Sequence, residues 1–312
     1  ALIVSNLGST WQLAGDSEQA AKYLGEAYLR TAENLDQTAG VLTEAQQLAL
    51  TQSVQYRLHT YLSGLLECTG RDAEAYAAVL NWKGATLLRQ RATRQAADDP
   101  QLASILGELQ TVTRHWSTIM RLDSPSRTPE VASRLTALSQ QKENLERQLA
   151  RSSAAYRTSQ QSLTLEQLSG ALPPETVLVD YFEFWRTIPA RESGALHRFE
   201  RSLAAFVVQR NGSVQMFDLG AIDPISAAIE TWRKSFGLGT DGQSAGQTLR
   251  ARLWQPLRTA IGSARTVLIS PDGTLGRLPF AALPGDRPDS YLLEEYRLTM
   301  LPVPRLIAEQ SG

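Results

Sequence analysis

The sequence predicts an α + α/β protein, with an all-α region over residues 1–161 and a mixed α/β domain over residues 162–312. In the first region apolar residues recur at spacings of three and four, which is typical of amphipathic helices. After residue 162 short β-branched runs alternate with helical segments and turns, which indicates strands packed against helices. The length fits two domains of roughly 100–200 residues each.

Composition excludes several classes of protein. The formal net charge is −1, so no overall positive field favours nucleic acid or an anionic membrane as a partner. No apolar run approaches the ~20 residues that span a bilayer. Cys68 is the single cysteine, so an intrachain disulfide is excluded and a cytoplasmic location is expected. No group of His, Cys, Asp and Glu has the spacing of metal ligands, so neither metal nor cofactor is predicted.

The first residues carry a helix-pair pattern. Residues 1–34 place small and large side chains where two antiparallel helices would pack, with Gly15-Asp16 in the turn between them. These positions are Leu7, Gly8, Trp11, Ala20, Leu24 and Ala27. The pattern resembles one tetratricopeptide (TPR) unit. Because stable arrays need about three repeats, further repeats before Ala1 or later covering helices are expected; a first residue other than Met also suggests a piece of a longer chain.

Further helices are predicted over residues 42–66 and 73–97, where only Gly64 and Gly84 interrupt the pattern. Two apolar stripes then run through residues 99–160 and are separated by the breaker Ser124–Pro129. Adjacent stripes joined by a short loop favour an antiparallel helical hairpin within the chain. A seam between two copies of the chain is the alternative.

In the second region, residues 162–312, the sequence predicts strands and helices separated by turns. Thr164 and Gln167 have the form of a capping box before a short helix, and Asn211-Gly212 predicts a hairpin turn. Asp223 is predicted to cap a helix that starts at Pro224. The predicted strands are 177–185, 203–209, 214–218, 266–270 and 292–301. The predicted helices are 224–236, 247–262 and 304–310, with a Gly-rich loop before the second of them.

Short sequence segments of the second region occur in an order that resembles a known family. They are ALPP, VLVDYFEF, AAFVVQRNG, WRKSF, RLWQPL, VLISPDG followed by LPFAALP, and YLLEEYRLTMLPVPRL. As an ordered set over roughly residues 130–312 they resemble the CHAT family, whose caspase-like peptidase domain often follows TPR repeats. The resemblance implies that the chain is the end of a TPR region plus the N-terminal half of a CHAT domain.

The family implied by this resemblance uses a catalytic His-Cys dyad, in which the histidine removes the thiol proton. The histidine typically precedes a glycine and the cysteine lies in a Ser-Ala-Cys-like run, and both are expected after Gly312. The chain alone is therefore predicted to be inactive, as the regulatory and structural portion of a cysteine peptidase. Its expected partners are a protein bound by the helical region and the missing half of the domain or a second copy. The alternative is a non-catalytic scaffold.

One residue remains as a candidate for substrate binding. Asp272 follows a predicted strand, at the sheet edge where α/β folds usually carry their sites. It could recognise a basic side chain of a peptide, although shaping the PDG turn is the simpler role. Cys68 is expected to be a small buried residue, and His59, His115 and His197 lie far from the positions of the family's dyad.

Four other motifs are rejected from their context. The G-x-S-x-G around Ser244 lacks the preceding strand and the later histidine that a nucleophile elbow needs. Gly237–Gly242 has the G-x-G-x-x-G spacing but follows a predicted helix rather than a strand. Ser139–Lys142 lies on the coiled stripe without companion motifs. Glu294 and Glu295 are adjacent in a predicted strand, so they would point to opposite faces.

Overall fold

A computed structural model describes residues 2–39, 44–83, 94, 97–120, 128–152, 162–188 and 198–310. The chain divides into two compact units, and neither is continuous in sequence: one comprises mainly residues 26–56 and 84–162, the other residues 2–25, 57–83 and 163–312. The predicted division of domains at residue 161 stays a prediction. Among the described residues, no helix is both long and apolar enough to cross a membrane.

The α + α/β class predicted from the sequence is confirmed. The helices are α1 Leu2–Leu13, α2 Ser17–Ala39, α3 Glu44–Leu65, α4 Asp72–Trp82, α5 Pro100–Met120, α6 Pro129–Ser152, α7 Leu165–Ala171, α8 Ile222–Ser235, α9 Gly239–Leu253, α10 Arg258–Ile261, α11 Leu292–Glu295 and α12 Arg305–Gln310. The strands are β1 Thr176–Ile188, β2 Arg198–Gln209, β3 Val214–Ala221, β4 Thr266–Ser270 and β5 Arg297–Met300.

The first unit contains the predicted antiparallel hairpin. Helices α5 and α6 pack through a cluster of leucines and one valine, and Trp116 Nε1 donates a hydrogen bond to Ser139 Oγ at 3.0 Å across the pair. Lys142, which interrupts the apolar stripe, pairs instead with Glu146 at 2.7 Å. The predicted packing within the chain is confirmed, and Ser139 and Lys142 have the structural roles expected of them.

The second unit is built on a five-stranded sheet of order β3-β2-β1-β4-β5. Strand β1 is antiparallel to β2 and parallel to β4, and β4 is parallel to β5. The turn between β2 and β3 has Gly212 at φ +84°, which only glycine adopts readily. The Asn211-Gly212 hairpin and the Thr164–Gln167 capping box are therefore as predicted.

Both faces of this sheet are covered because β1 and β2 carry apolar residues at almost every position. One face, with Val177, Val179 and Tyr181 of β1, packs against α8 and α9. On the other face, the ring of Tyr76 in α4 lies 5.2 Å from that of Phe206 in β2. The sequence placed residues 57–83 in the all-α region, but in this unit they cover one face of the sheet.

The first helix pair forms as expected from small residues. A Cβ on Gly8 would come within 2.7 Å of Leu24 Cγ, so glycine allows α1 and α2 to approach closely. Gly15 turns between them at φ +80°. Leu7 was predicted as a packing position, and that prediction is wrong, since the residue is exposed and α1 buries Ser5, Gly8 and Gln12 instead.

Several predicted elements have different bounds, among them the helix expected over 247–262, which breaks after Leu253 into α9, a 3₁₀ turn and α10. The helix expected over 73–97 ends at Trp82, because Lys83 adopts extended backbone angles; residues 84–93 lie outside the described part of the chain. Helix α8 starts at Ile222 with Ala221 at its N-cap, so Asp223 lies in the first turn instead of capping it. The strand expected over 292–301 is the helical turn α11 followed by β5.

The Gly-rich segment predicted as a loop is the first half of α9, which starts at Gly239. Its glycines serve close packing: a Cβ on Gly242 would lie 2.6 Å from the carbonyl carbon of Gly237 and 2.5 Å from Ser235 Oγ. Gly237 itself sits at φ +72° beneath the Trp232 ring, where its N–H donates to Trp232 O at 2.9 Å. The low helix propensity of glycine is outweighed here by contact between α8 and α9.

We expect Gly242→Ala to lower the free energy of unfolding by about 1–3 kcal/mol, because the new methyl group would overlap backbone atoms. Gly107→Ala is the matched control, since Gly107 also lies inside a long helix but its Cβ would meet no atom within 4 Å. Gly107→Ala should stabilise the protein by about 0.5–1 kcal/mol through helix propensity. Urea unfolding measures both, and equal effects of the two substitutions would contradict the packing argument.

Candidate functional site at the carboxyl end of the sheet

The candidate site lies where β1 continues past the end of β4. The parallel pairing of the two strands ends at Asp180 and Ser270, whereas β1 continues to Ile188 and stays paired with β2 along that length. We call residues Tyr181–Ile188 the β1 overhang. Among the residues that the structure describes, no strand pairs with its edge on the β4 side, although backbone N–H groups still require acceptors there.

Side chains supply those acceptors at alternate residues. The N–H of Glu183 donates to Asp272 Oδ2 at 2.9 Å, that of Trp185 to His59 Nδ1 at 3.3 Å, and that of Thr187 to Ser63 Oγ at 3.1 Å. The alternation follows from strand geometry, since every second residue points its N–H to the same edge. The overhang is thus held by the PDG turn and by α3 in place of a strand.

Asp272, the predicted substrate-binding residue, is half-buried at this edge. Its second carboxylate oxygen, Oδ1, accepts from Gly273 N at 2.9 Å, which caps a short 3₁₀ turn. Gly273 lies at φ +52°, and a Cβ there would collide with the Glu183 carboxylate. Both oxygens of Asp272 therefore accept structural hydrogen bonds, one within the turn and one from β1, and its substrate-binding role stays a prediction.

Glu183 places a second carboxylate beside Asp272. Arg201 of the neighbouring strand β2 donates through Nε to Glu183 Oε1 at 2.9 Å, and this ion pair neutralises the carboxylate. Its other oxygen, Oε2, is buried without a hydrogen-bond partner. The Arg201 guanidinium thus occupies Oε1, so the pair joins β1 to β2 at this position.

A buried polar cluster lies immediately beneath the overhang. The Lys83 ammonium contacts Asp180 Oδ1 at 2.5 Å, Ser270 Oγ at 2.7 Å and the Tyr181 carbonyl at 2.9 Å. The Tyr76 hydroxyl donates to Asp180 Oδ2 at 3.3 Å. Asp180, Ser270 and Tyr76 are fully buried. The cluster joins the C-terminal end of α4 to the paired ends of β1 and β4.

The electrostatics of this cluster favour a structural role. Burial raises the pKa of Asp180, while the Lys83 ammonium and the Ser270 hydroxyl counteract that shift. Burial also raises the pKa of Tyr76, which therefore stays protonated as a donor. Lys83 and Ser270 have the proximity of a Ser-Lys nucleophile pair, but Lys83 is held by Asp180 and Ser270 is closed to solvent. Neither can act on a substrate in this arrangement.

His59 and Cys68 have separate structural roles. His59 is buried with its ring edge-on to Phe182, and burial lowers its pKa to about 4. The Cys68 Sγ lies 3.4 Å from the carbonyl oxygens of both Ser17 and Gly64, either of which can accept its single S–H, and burial raises its pKa. A nucleophilic cysteine needs a lowered pKa, so the expectation of a small buried residue fits this environment.

The remaining sequence motifs do not form a site. His115 is exposed on α5, and His197 lies outside the described residues. Glu294 accepts from Tyr291 N at 2.9 Å, and Glu295 accepts from Asp286 N. Glu294 caps the start of α11 and Glu295 binds the backbone of the preceding loop, and α11 replaces the strand geometry predicted for both. Among the described residues, no group of three or more His, Cys, Asp and Glu could hold a metal ion.

Ser244 lies on α9 and lines a cavity of about 820 Å³ between α8, α9 and the loop 284–291. A nucleophile elbow requires the serine on a turn between strand and helix, whereas Ser244 is in the helix itself. No histidine is among the lining residues. The rejection of a serine-hydrolase motif agrees with this geometry.

Sequence reasoning missed Lys83 and the capping roles of His59 and Ser63. One signal for the cluster was available, because Asp180 interrupts an otherwise apolar strand and a buried carboxylate needs a partner. Nothing in the sequence identified Lys83 as that partner, since it lies 97 positions away. The caps could not be predicted because they depend on where β4 ends relative to β1.

Comparison with protein families identified a match in the last third of the chain. Residues 243–311 match the model of the CHAT domain, so the resemblance is confirmed over that segment, which includes β4, the PDG turn and β5. No curated protein and no solved structure matched the chain significantly. The matched family is related to caspase-like peptidases.

Proposed function

Because residues 243–311 carry a CHAT-domain segment, we propose that this chain is the regulatory and structural portion of a CHAT caspase-like cysteine peptidase. In this proposal the helical region binds a protein partner, and the His-Cys dyad is supplied by residues that are not in this chain. The observation that carries the proposal is the CHAT match, which falls on the strands and turn at the carboxyl end of the sheet.

The chemistry of the described residues supports a non-catalytic role for this portion. Cys68 is buried with a raised pKa, and His59 uses its one acceptor nitrogen on Trp185. The two residues also bond to different segments, so they do not form the nucleophile–base pair that thiol catalysis requires.

An exposed apolar surface on α1 supports a protein partner for the helical region. Leu2, Ile3 and Leu7 are 65%, 84% and 41% exposed, while the buried side of the helix carries Ser5, Gly8 and Gln12. Contiguous exposed apolar side chains on a soluble protein commonly mark a site of protein–protein contact. This observation also favours the second candidate function, a non-catalytic scaffold that binds proteins through the same surface.

The edge of the sheet at β5 supports a second contact. In the described part of the chain β5 pairs only with β4, and Met300 is 45% exposed. An unpaired edge presents a row of backbone donors and acceptors for another strand. The proposed occupant is a further strand of the CHAT domain or the same strand of a second copy.

The test is expression of the complete reading frame that encodes this chain, assayed on fluorogenic peptides with arginine or lysine before the scissile bond. We expect cleavage that thiol alkylation abolishes, and no cleavage by residues 1–312 alone. Asp272→Ala should lower kcat/KM by roughly 100-fold or more if its carboxylate pairs with the basic side chain. Asp241→Ala, at an exposed helix position, is the matched control and should have no effect.

The outcomes separate the two candidate functions. A complete product that cleaves no protein, yet loses a binding partner when Ile3 and Leu7 are changed to Ser, would support the scaffold. A product that neither cleaves nor binds protein would refute both. Full activity of Asp272→Ala on basic substrates would remove Asp272 from the substrate site and leave it as a residue of the turn.

A further inference from the structure

We propose that the cavity between α8, α9 and the loop 284–291 binds a nucleoside monophosphate, a small ligand with a phosphate at one end and a flat base at the other. Its volume of about 820 Å³ lies within the range of roughly 300–1,000 Å³ that small-molecule sites usually have. All of its lining residues belong to the second unit, and the PDG turn contributes none of them. The site is therefore separate from the candidate substrate site at Asp272.

The first turn of α9 supplies donors for the phosphate. This helix begins without a side-chain cap at Leu238, and in the described part of the chain no atom accepts from the backbone N–H groups of Gly239 and Thr240. Leu238 and Thr240 line the cavity. Unpaired N–H groups and the dipole at a helix start favour a phosphate. The site differs from a dinucleotide fold, because a helix, α8, precedes Gly237–Gly242.

A buried indole gives a second, independent donor. Trp232 of α8 lines the cavity and is only 9% exposed, yet none of the described residues accepts a hydrogen bond from its Nε1–H. A Cβ on Gly237 would lie 2.9 Å from Nε1 and one on Gly246 3.2 Å. Both glycines line the cavity, so their missing side chains leave this N–H facing it. Buried donors are normally paired, which indicates a ligand acceptor at this point.

The charged groups of the cavity are compatible with an anion. Asp286 is bound by Arg250, and by Arg258 at 2.5 Å, so two guanidinium groups compensate one carboxylate. Arg250 Nε is also buried without a hydrogen-bond partner. The remaining lining carboxylate, Asp289, lies two positions from Arg287, which also lines the cavity. The lining side chains thus carry no net negative charge, and the free N–H donors favour an anionic group.

Aromatic side chains of the cavity fit the base. Phe236 and Tyr291 are 84% and 49% exposed, and both line the cavity. Phe236 has φ +53°, in the left-handed region that bulky residues seldom adopt. Such strained positions cluster at ligand-binding sites. Exposed aromatic rings stack on nucleobases, each of which has a π-face.

Two amides distinguish a nucleobase from a plain aromatic ring. Gln243 and Gln247 are one turn apart on α9, so they share the face that lines the cavity. Both are exposed, and within the described residues their side chains make no hydrogen bond. Each amide offers a donor and an acceptor, as the edge of a base does. The helix start, the aromatic rings and the amides therefore match the three parts of the ligand.

The test is isothermal titration calorimetry of residues 1–312 with AMP, GMP, CMP and UMP, with the four corresponding nucleosides and with inorganic phosphate. We expect at least one monophosphate to bind with a Kd of ~10 µM, and at least tenfold more tightly than its nucleoside or inorganic phosphate. Equal binding of phosphate alone would indicate an adventitious anion site only and would overturn the proposal. Failure of all four monophosphates to bind would do the same.

Substitutions locate the ligand. Trp232→Phe keeps a ring and removes Nε1–H, so affinity for the monophosphate should fall roughly tenfold or more while that for the nucleoside is unchanged. Trp254→Phe is the matched control, at a buried tryptophan of the same unit that is not a lining residue.

A second substitution keeps the test decisive if Trp232→Phe does not fold. Gln247→Ala, at an exposed position, should weaken monophosphate and nucleoside alike by roughly fivefold. Thr248→Ala, exposed on the same helix and not a lining residue, is its control. Unchanged affinity in every folded cavity variant would place the ligand elsewhere and overturn the proposal. Peptide cleavage by the complete product, or its absence, leaves this result unaffected.

Discussion

Replacing Lys83 with methionine will lower the free energy of unfolding by about 3–5 kcal/mol, because it leaves the Asp180 carboxylate buried without its cation. Asp180 is fully closed to solvent, and without Lys83 the Tyr76 and Ser270 hydroxyls would have to stabilise a carboxylate whose pKa is raised by burial and also by the nearby Asp272 charge. The same cluster joins α4 to β1 and β4, so the loss should appear as lower cooperativity between the helical segment and the sheet. Urea unfolding followed by far-UV circular dichroism measures the effect.

Two controls distinguish the cost of leaving the Asp180 charge buried from the loss of an ion pair as such. Arg265→Met removes an exposed pair with Glu175 at 3.5 Å, and we expect an effect of less than about 1 kcal/mol. Lys83→Met combined with Asp180→Leu removes both charges, so it should be more stable than Lys83→Met alone by about 1–3 kcal/mol. A double variant no more stable than the single one would show that the charge of Asp180 is not the source of the loss.

Acidification will destabilise the protein through His59. Burial lowers the pKa of this imidazole to about 4, below the ordinary value near 6.5 that it regains on unfolding. Between these two values the unfolded state binds more protons, so the contribution of His59 to stability is complete above about pH 6.5 and is lost as the pH falls towards 4. One pKa unit corresponds to about 1.4 kcal/mol, which gives a loss of about 3 kcal/mol over the whole range.

The measurement is the free energy of urea unfolding at intervals from pH 7 to pH 4.5, in the natural chain and in His59→Phe. The phenylalanine variant should show a smaller decline, because its position binds no proton. His115→Gln is the control, since His115 is exposed, and its decline should match that of the natural chain. Parallel declines in all three proteins would contradict the assignment to His59.

Local elements were predictable where local interactions determine them. The Thr164–Gln167 capping box, the Asn211-Gly212 turn and the α5–α6 hairpin all depend on residues close together in the sequence, and all form as expected. The Gly-rich start of α9 was predicted as a loop, because the low helix propensity of glycine is overridden only by packing against α8, which the sequence does not reveal.

The candidate site was predictable only in part. Asp272 could be placed at the carboxyl end of a strand because Thr266–Ser270 is a short apolar run followed by a PDG turn. The hydrogen bond that Asp272 accepts from Glu183 N could not be predicted, because that contact depends on β1 continuing past β4. The same holds for His59, whose role as a cap on Trp185 depends on where α3 packs.

The α + α/β class, the strand and turn around Asp272 and the resemblance to the CHAT family could be predicted from the sequence, since each depends on local pattern or on the order of short motifs. Three features depend on tertiary contacts and could not be predicted: residues 57–83 cover the sheet, Lys83 neutralises Asp180, and His59 and Ser63 bind the edge of β1. Those contacts join segments up to 187 positions apart. The buried charge and backbone donors need partners because an unpaired charge or donor is costly only where water is excluded.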